Sequence, residues 1–118
     1  MSLDLEVYAA RPTSLAELRA NLPEGPSWED YGAGELAYDS DGWQVLVGEP
    51  EEIAPEDVPG HLRALLPDAC WLISLTLEPI GAAEDGKAFL ERVLSAVGSA
   101  TGGVSTDFRT GTPCRFSS

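Results

Sequence analysis

Positive charge is what this chain most lacks. Seven of its 118 residues are Lys or Arg, against twenty Asp or Glu, for a net charge of −13 at neutral pH. Between Ala20 and Leu62 there is no Lys or Arg at all, and that stretch carries eleven of the carboxylates. Such a field repels nucleic acid and anionic membranes. It draws basic proteins, cationic ligands and metal ions. Exposed charges are screened beyond about 8 Å at physiological ionic strength. The acidic segment therefore has to spread over a surface or meet a counter-charge. Charge speaks to solubility and association rather than to fold, so two readings stand: a solubility face or a partner-binding face.

Histidine is nearly absent too. His61 is the only one, so any Ser-His-Asp or Cys-His arrangement would have to use it. No nucleophile-elbow pattern accompanies it. The two cysteines, Cys70 and Cys114, are too few for a secreted disulfide framework. Spread with His61 along the chain, they give no zinc spacing. Cys70 sits in an apolar run and reads as a small buried hydrophobe. No apolar run approaches the roughly 20 residues that span a bilayer. The first residues have no basic region followed by an apolar stretch, so no signal peptide is expected. One Lys against six Arg, with abundant Ala, Gly and Pro, points to a GC-rich, bacterial genome. The expectation is a soluble cytoplasmic protein.

The residues that are present are patterned, which argues against disorder. Leu3, Leu5, Val7 and Ala9 alternate with Asp4, Glu6 and Tyr8, the period of a half-exposed strand. Ser14 and Glu17 form a capping box before a short helix carrying Leu15, Leu18 and Leu22. Residues 23–34 read as a Pro/Gly loop. Glu35–Asp39 and Trp43–Val47 read as strands around Ser40-Asp41-Gly42, a hairpin signal. Residues 48–54 read as an acidic loop. Pro55-Glu56-Asp57 opens a helix that Pro59 is expected to split into two short turns. Cys70–Glu78 is the clearest strand, with Trp71, Ile73, Leu75 and Leu77 on one side. Glu84-Asp85 begins the longest helix, with Phe89, Leu90, Val93, Leu94 and Val97 as its stripe. Gly102-Gly103 stops it, and Val104–Phe108 is a last short strand.

The order β-α-β-β-α-β-α-β predicts an α+β fold. The expectation is a ferredoxin-like open-faced sandwich with about five strands in a mixed sheet and helices on one face. Its last strand-helix-strand unit is expected to be parallel and right-handed. Residues 1–112 are read as a single domain and 113–118 as a fraying tail. The uncovered face, with Tyr8, Leu46 and Leu72 among polar neighbours, is either solvated or a homodimer surface.

Motif chemistry is thin. Asp39-Ser40-Asp41-Gly42 matches the opening of a calcium loop, but Ala37 and Gly48 stand where the remaining ligands belong. The carboxylate pairs Glu56-Asp57 and Glu84-Asp85 suit helix N-termini. Glu29-Asp30 and Glu51-Glu52 are sequence neighbours on loops, not groups facing each other across a cleft. The glycines around 98–103 follow a helix, whereas phosphate loops precede one. No cofactor or metal site is expected.

Trp28-Glu29-Asp30-Tyr31 stands out. Aromatics beside acids in a polar loop either fold back over the sheet or anchor a basic partner. With Glu35, this segment is the candidate partner-binding site. The leading expectation is a non-enzymatic interaction module for a basic protein, of which toxin-neutralising immunity proteins are one biological form. The alternative is a small-ligand-binding domain or enzyme with a pocket between sheet and helices, near His61.

Overall fold

The computed structural model describes residues 2–32, 34–79 and 81–117. Among these residues one eight-stranded sheet runs through the molecule. Its strands are β1 (Leu3–Ala9), β2 (Glu29–Asp30), β3 (Glu35–Ser40), β4 (Trp43–Gly48), β5 (Glu51–Glu52), β6 (Trp71–Glu78), β7 (Val104–Thr106) and β8 (Pro113–Arg115). The spatial order is β2-β3-β4-β6-β1-β7-β8, with β5 pairing the far end of β6. Every pairing is antiparallel. Among the described residues three α-helices accompany it: α1 (Leu15–Arg19), α2 (Gly60–Arg63) and α3 (Glu84–Thr101).

This corrects the expected ferredoxin-like, five-stranded mixed sheet. The extra strands β2, β5 and β8 are two or three residues long, too short for an alternating pattern to show. They come from the two segments read as loops and from the supposed tail. β8 pairs with β7 at Ser105–Cys114, and the Phe116 N–H donates to Gly103 O at 2.9 Å. The expected parallel unit also resolves differently. β6 and β7 run in the same direction but do not touch, because β1 lies between them and is antiparallel to both.

Helices lie on both faces, not one. On the first face the inward residues of β1, β4 and β6 meet the α3 stripe. Val7, Val45, Val47, Ile73, Leu75, Leu77, Leu90 and Val93 are all closed to solvent there. Each such side chain contributes about 1.5–3 kcal/mol of burial, so this layer is the principal source of stability. α1 adds Leu18, and its start is fixed by Ser14 Oγ, which accepts from the Glu17 N–H at 3.1 Å. α3 ends where Gly102 adopts φ +63°, a left-handed turn that glycine takes without strain. On the second face, α2 packs over only one end of the sheet. Val58, Leu62, Leu66 and Ala69 cover Tyr8 and Val104 there. Pro59 does split the preceding segment, into a 3-10 turn at Pro55–Asp57 and then α2.

Candidate functional site: the helix-free face of the sheet

Because α2 covers only the β1–β7 end, the rest of the second face carries no helix among the described residues. Alternation along each strand decides what shows there. In β3, Leu36 and Tyr38 register with Val47 and Val45 on the core side. Glu35, Ala37 and Asp39 therefore face outward. By the same register β4 presents Gln44 and Leu46, β6 presents Ser74, Thr76 and Glu78, and β1 presents Asp4 and Glu6.

Cross-strand pairing turns these into rows. One row runs Glu29–Ala37–Leu46–Thr76–Asp4 across five strands. The next runs Asp39–Gln44–Glu78. Thr76 Oγ1 donates to Asp4 Oδ1 at 3.1 Å. Gln44 Nε2 donates to Asp39 Oδ1 at 2.5 Å and to Tyr31 Oη at 2.8 Å, while Tyr31 Oη donates to Asp39 Oδ2 at 3.3 Å. The Tyr31 N–H bonds Glu35 O at 3.0 Å. Its side chain thus runs along the sheet from the level of Glu35 to that of Asp39, past the closed methyl of Ala37. Among the described residues Tyr31 is the large apolar residue left exposed, at 46%. Desolvation and then Asp39 raise its phenol pKa above the ordinary value.

The segment singled out in the sequence is divided by the fold. Trp28 is 1% exposed and sits against Tyr38 and Phe89, ring centroids 5.7 and 6.2 Å away. Its Nε1 donates to Pro23 O at 2.8 Å, so the indole is satisfied inside the core and presents nothing to a partner. Glu29 and Asp30 fall on opposite sides of β2, since Glu29 registers with Ala37 and Asp30 with Leu36. Asp30 instead closes a turn, accepting from the Gly32 N–H at 2.7 Å. Glu29, Tyr31 and Glu35 are brought together on the open face. Asp4, Glu6, Asp39 and Glu78 join them. Their signal in the sequence was the polar phase of each strand, not the run of acids.

Arg19, Arg92 and Arg109 are engaged elsewhere. Among the described residues the ion pairs are Arg92–Glu24 at 3.9 Å and the clasp of Arg109 on Glu84 and Glu91. The Arg109–Glu84 contact is bidentate, at 2.7 and 2.9 Å, and lowers the Glu84 pKa. Arg19 donates to Trp28 O at 2.6 Å. No ion pair reaches a carboxylate of the open face among the described residues.

Where α2 meets the sheet there is a cleft of about 280 Å³ lined by Asp4, Glu6, Tyr8, Pro59, Leu62 and Thr106, among others. Tyr8 Oη donates to Glu6 Oε2 at 3.1 Å, and burial followed by the Glu6 charge pushes its pKa up to about 12. His61 Nε2 lies 3.0 Å from Thr106 Oγ1. Side chains of β1, β4, β6 and α3 pack into one core, a depression of about 400 Å³ lined by Leu3, Lys87, Phe108 and Arg109 opens at its margin, and the cleft is the concavity that adjoins α2, the helix of His61. Among the described residues no three His, Cys, Asp or Glu side chains converge as metal ligands, and no helix is long and apolar enough to cross a membrane.

Comparison with protein-family models, with curated proteins and with solved structures finds no match.

Proposed function

We propose that this protein is a non-enzymatic interaction module of the bacterial cytoplasm that docks a basic partner protein on the helix-free face of its sheet. The observation that carries the reading is the coincidence of three properties on one surface. It has carboxylates from β1, β2, β3 and β6, no ion pair to them among the described residues, and one exposed aromatic, Tyr31, held by Gln44 and Asp39. Distributed carboxylates accelerate encounter with a cationic surface. A preorganised tyrosine adds contact area at low entropic cost and slows release. Neutralisation of a toxin by an immunity protein is one biological form of such docking. Self-pairing of two open faces is the weaker form, because it would set like charges opposite one another.

Immobilised protein exposed to lysate of its host tests the reading. Basic proteins should be retained at low salt and released as salt rises, and E29Q/E35Q/D39N should fail to retain them. Retention indifferent to both salt and the triple substitution would overturn it.

A second reading, a small-ligand site, has the cleft beside α2 in its favour. The pairing of His61 with Thr106 is the only part of a nucleophile–base arrangement present there, with no third group orienting the imidazole among the described residues. A compound binding at the cleft with broadening of the His61 and Tyr8 signals would support it.

A further inference from the structure

At the opposite end of the molecule the charge logic is reversed. A groove of about 510 Å³ lies where the end of β1, the last turn of α3, the chain beyond α2 and β8 come together. Its lining includes Arg11, Arg115, Leu66, Thr101, Gly102 and Phe116, and it contains no Asp or Glu. In a chain with twenty carboxylates and seven bases, two arginines lining one acid-free concavity need a physical explanation. Neither lies within ion-pairing distance of an Asp or Glu among the described residues.

Arg115 is oriented. Its Nη1 donates to Leu65 O at 3.2 Å, which leaves most of its five donors available in a planar fork. The Thr101 hydroxyl is committed to its own helix, at 2.8 Å from Val97 O. The C-terminus of α3 is closed by its own turn, Gly103 N–H to Gly98 O at 3.1 Å, and no side-chain bond runs from either arginine to an α3 carbonyl among the described residues. Capping of that helix end therefore does not occupy the two arginines. The walls are apolar on both sides: Leu66 belongs to the cluster under α2, and Phe116 packs on Gly98 of α3.

We infer that this groove binds a small amphiphilic anion, a carboxylate or phosphate joined to an apolar group. The guanidiniums of Arg11 and Arg115 take the charge, and Leu66 and Phe116 take the apolar part. The volume falls within the roughly 300–1,000 Å³ range of small-ligand sites. Net negative charge does not forbid it. The face's nearest carboxylate along β1 is Glu6, three residues from the strand end at Ala9 where the groove begins, about 10 Å at strand rise, and screening is about 8 Å. The groove therefore lies just beyond the screened reach of the acidic face.

Titration of the isotope-labelled full chain with benzoate and with phenyl phosphate tests this, the two probes distinguishing a carboxylate from a phosphate headgroup. Saturable amide shifts at Arg11, Thr101, Gly102 and Arg115 are expected from at least one probe. R11Q/R115Q should weaken binding by about tenfold or more, the loss expected for charge-assisted bonds. R63Q, outside the groove, should leave it unchanged. Should R115Q disturb the fold by releasing Leu65, R11Q alone serves, because it removes an exposed side chain and should still weaken binding. No saturable shift from either probe, or shifts that persist without the arginines, would overturn the inference.

Discussion

Glu29 and Asp30 are adjacent in the chain and lie on opposite faces of β2, Glu29 level with Ala37 on the open face and Asp30 level with Leu36. If the open face is the docking surface, equal charge removal at the two positions has unequal consequences. E29Q should weaken the basic partner's binding several-fold, and D30N should leave it nearly unchanged. Surface plasmon resonance on the two variants checks this, and equal losses would count against a face-specific site.

On the proposed reading, Trp28 contributes to stability and not to docking. Its ring is fully buried among Tyr38 and Phe89, and truncating such an aromatic costs about 3–5 kcal/mol. W28F should fold with reduced stability in urea and bind the partner with unchanged affinity. A binding loss in W28F without a matching stability loss would place the indole at the interface after all.

Gly98 and Phe116 couple the end of the chain to α3. A Cβ at Gly98 would stand 2.3 Å from the Phe116 ring, so G98A must displace that ring. Overpacking of this kind costs about 1–3 kcal/mol. F116A should relieve the clash, making the double variant more stable than the sum of the singles predicts. Additive effects would show that the ring does not rest on α3.

Two groups give a pH dependence of known sign. Glu84 has a lowered pKa in the fold because Arg109 bonds its carboxylate. Its contribution is present above its ordinary value of 4.5 and is lost as pH falls through the depressed one. Tyr8 is the converse. Its raised pKa means the fold favours the neutral phenol, so stability is intact below pH 10.0 and declines as pH rises toward about 12. Ultraviolet titration should show late-ionising tyrosines, Tyr31 as well as Tyr8, and Y8F should remove the step near 12. R109Q should move the Glu84 midpoint upward in carboxyl NMR.

Long elements were legible in the sequence, and short ones were not. β1 follows the alternation of Leu3 to Ala9, and α3 buries the five residues of its stripe, Phe89 to Val97. The cap at Ser14 and the split at Pro59 follow from local chemistry that needs no tertiary information. Glu29–Asp30, Glu51–Glu52 and Pro113–Arg115 are strands only because a neighbouring edge offers them partners. Two or three residues cannot display a period, so the strand count was out of reach. The placement of α2 on the second face depends on Tyr8, which shares its phase with Asp4 and Glu6 yet is buried by Val58 and Leu62.

The candidate site was legible as an acidic surface but not in outline. The base-free run from 20 to 62 announced an acidic surface. The surface itself is assembled by sheet register, which draws in Asp4, Glu6 and Glu78 from outside that run. Aromatic residues in a polar loop pointed equally at Trp28 and Tyr31, and only packing separates them.

The most direct test is an amide-shift map of the full chain with a basic partner, for which an oligo-arginine peptide is the simplest probe. Shifts concentrated on Glu6, Tyr31, Asp39, Leu46 and Thr76, with the exposed side of α3 silent, are what the account predicts. Shifts spread equally over Glu84, Asp85 and Glu91 of α3, or no saturable shifts at the sheet, would contradict it.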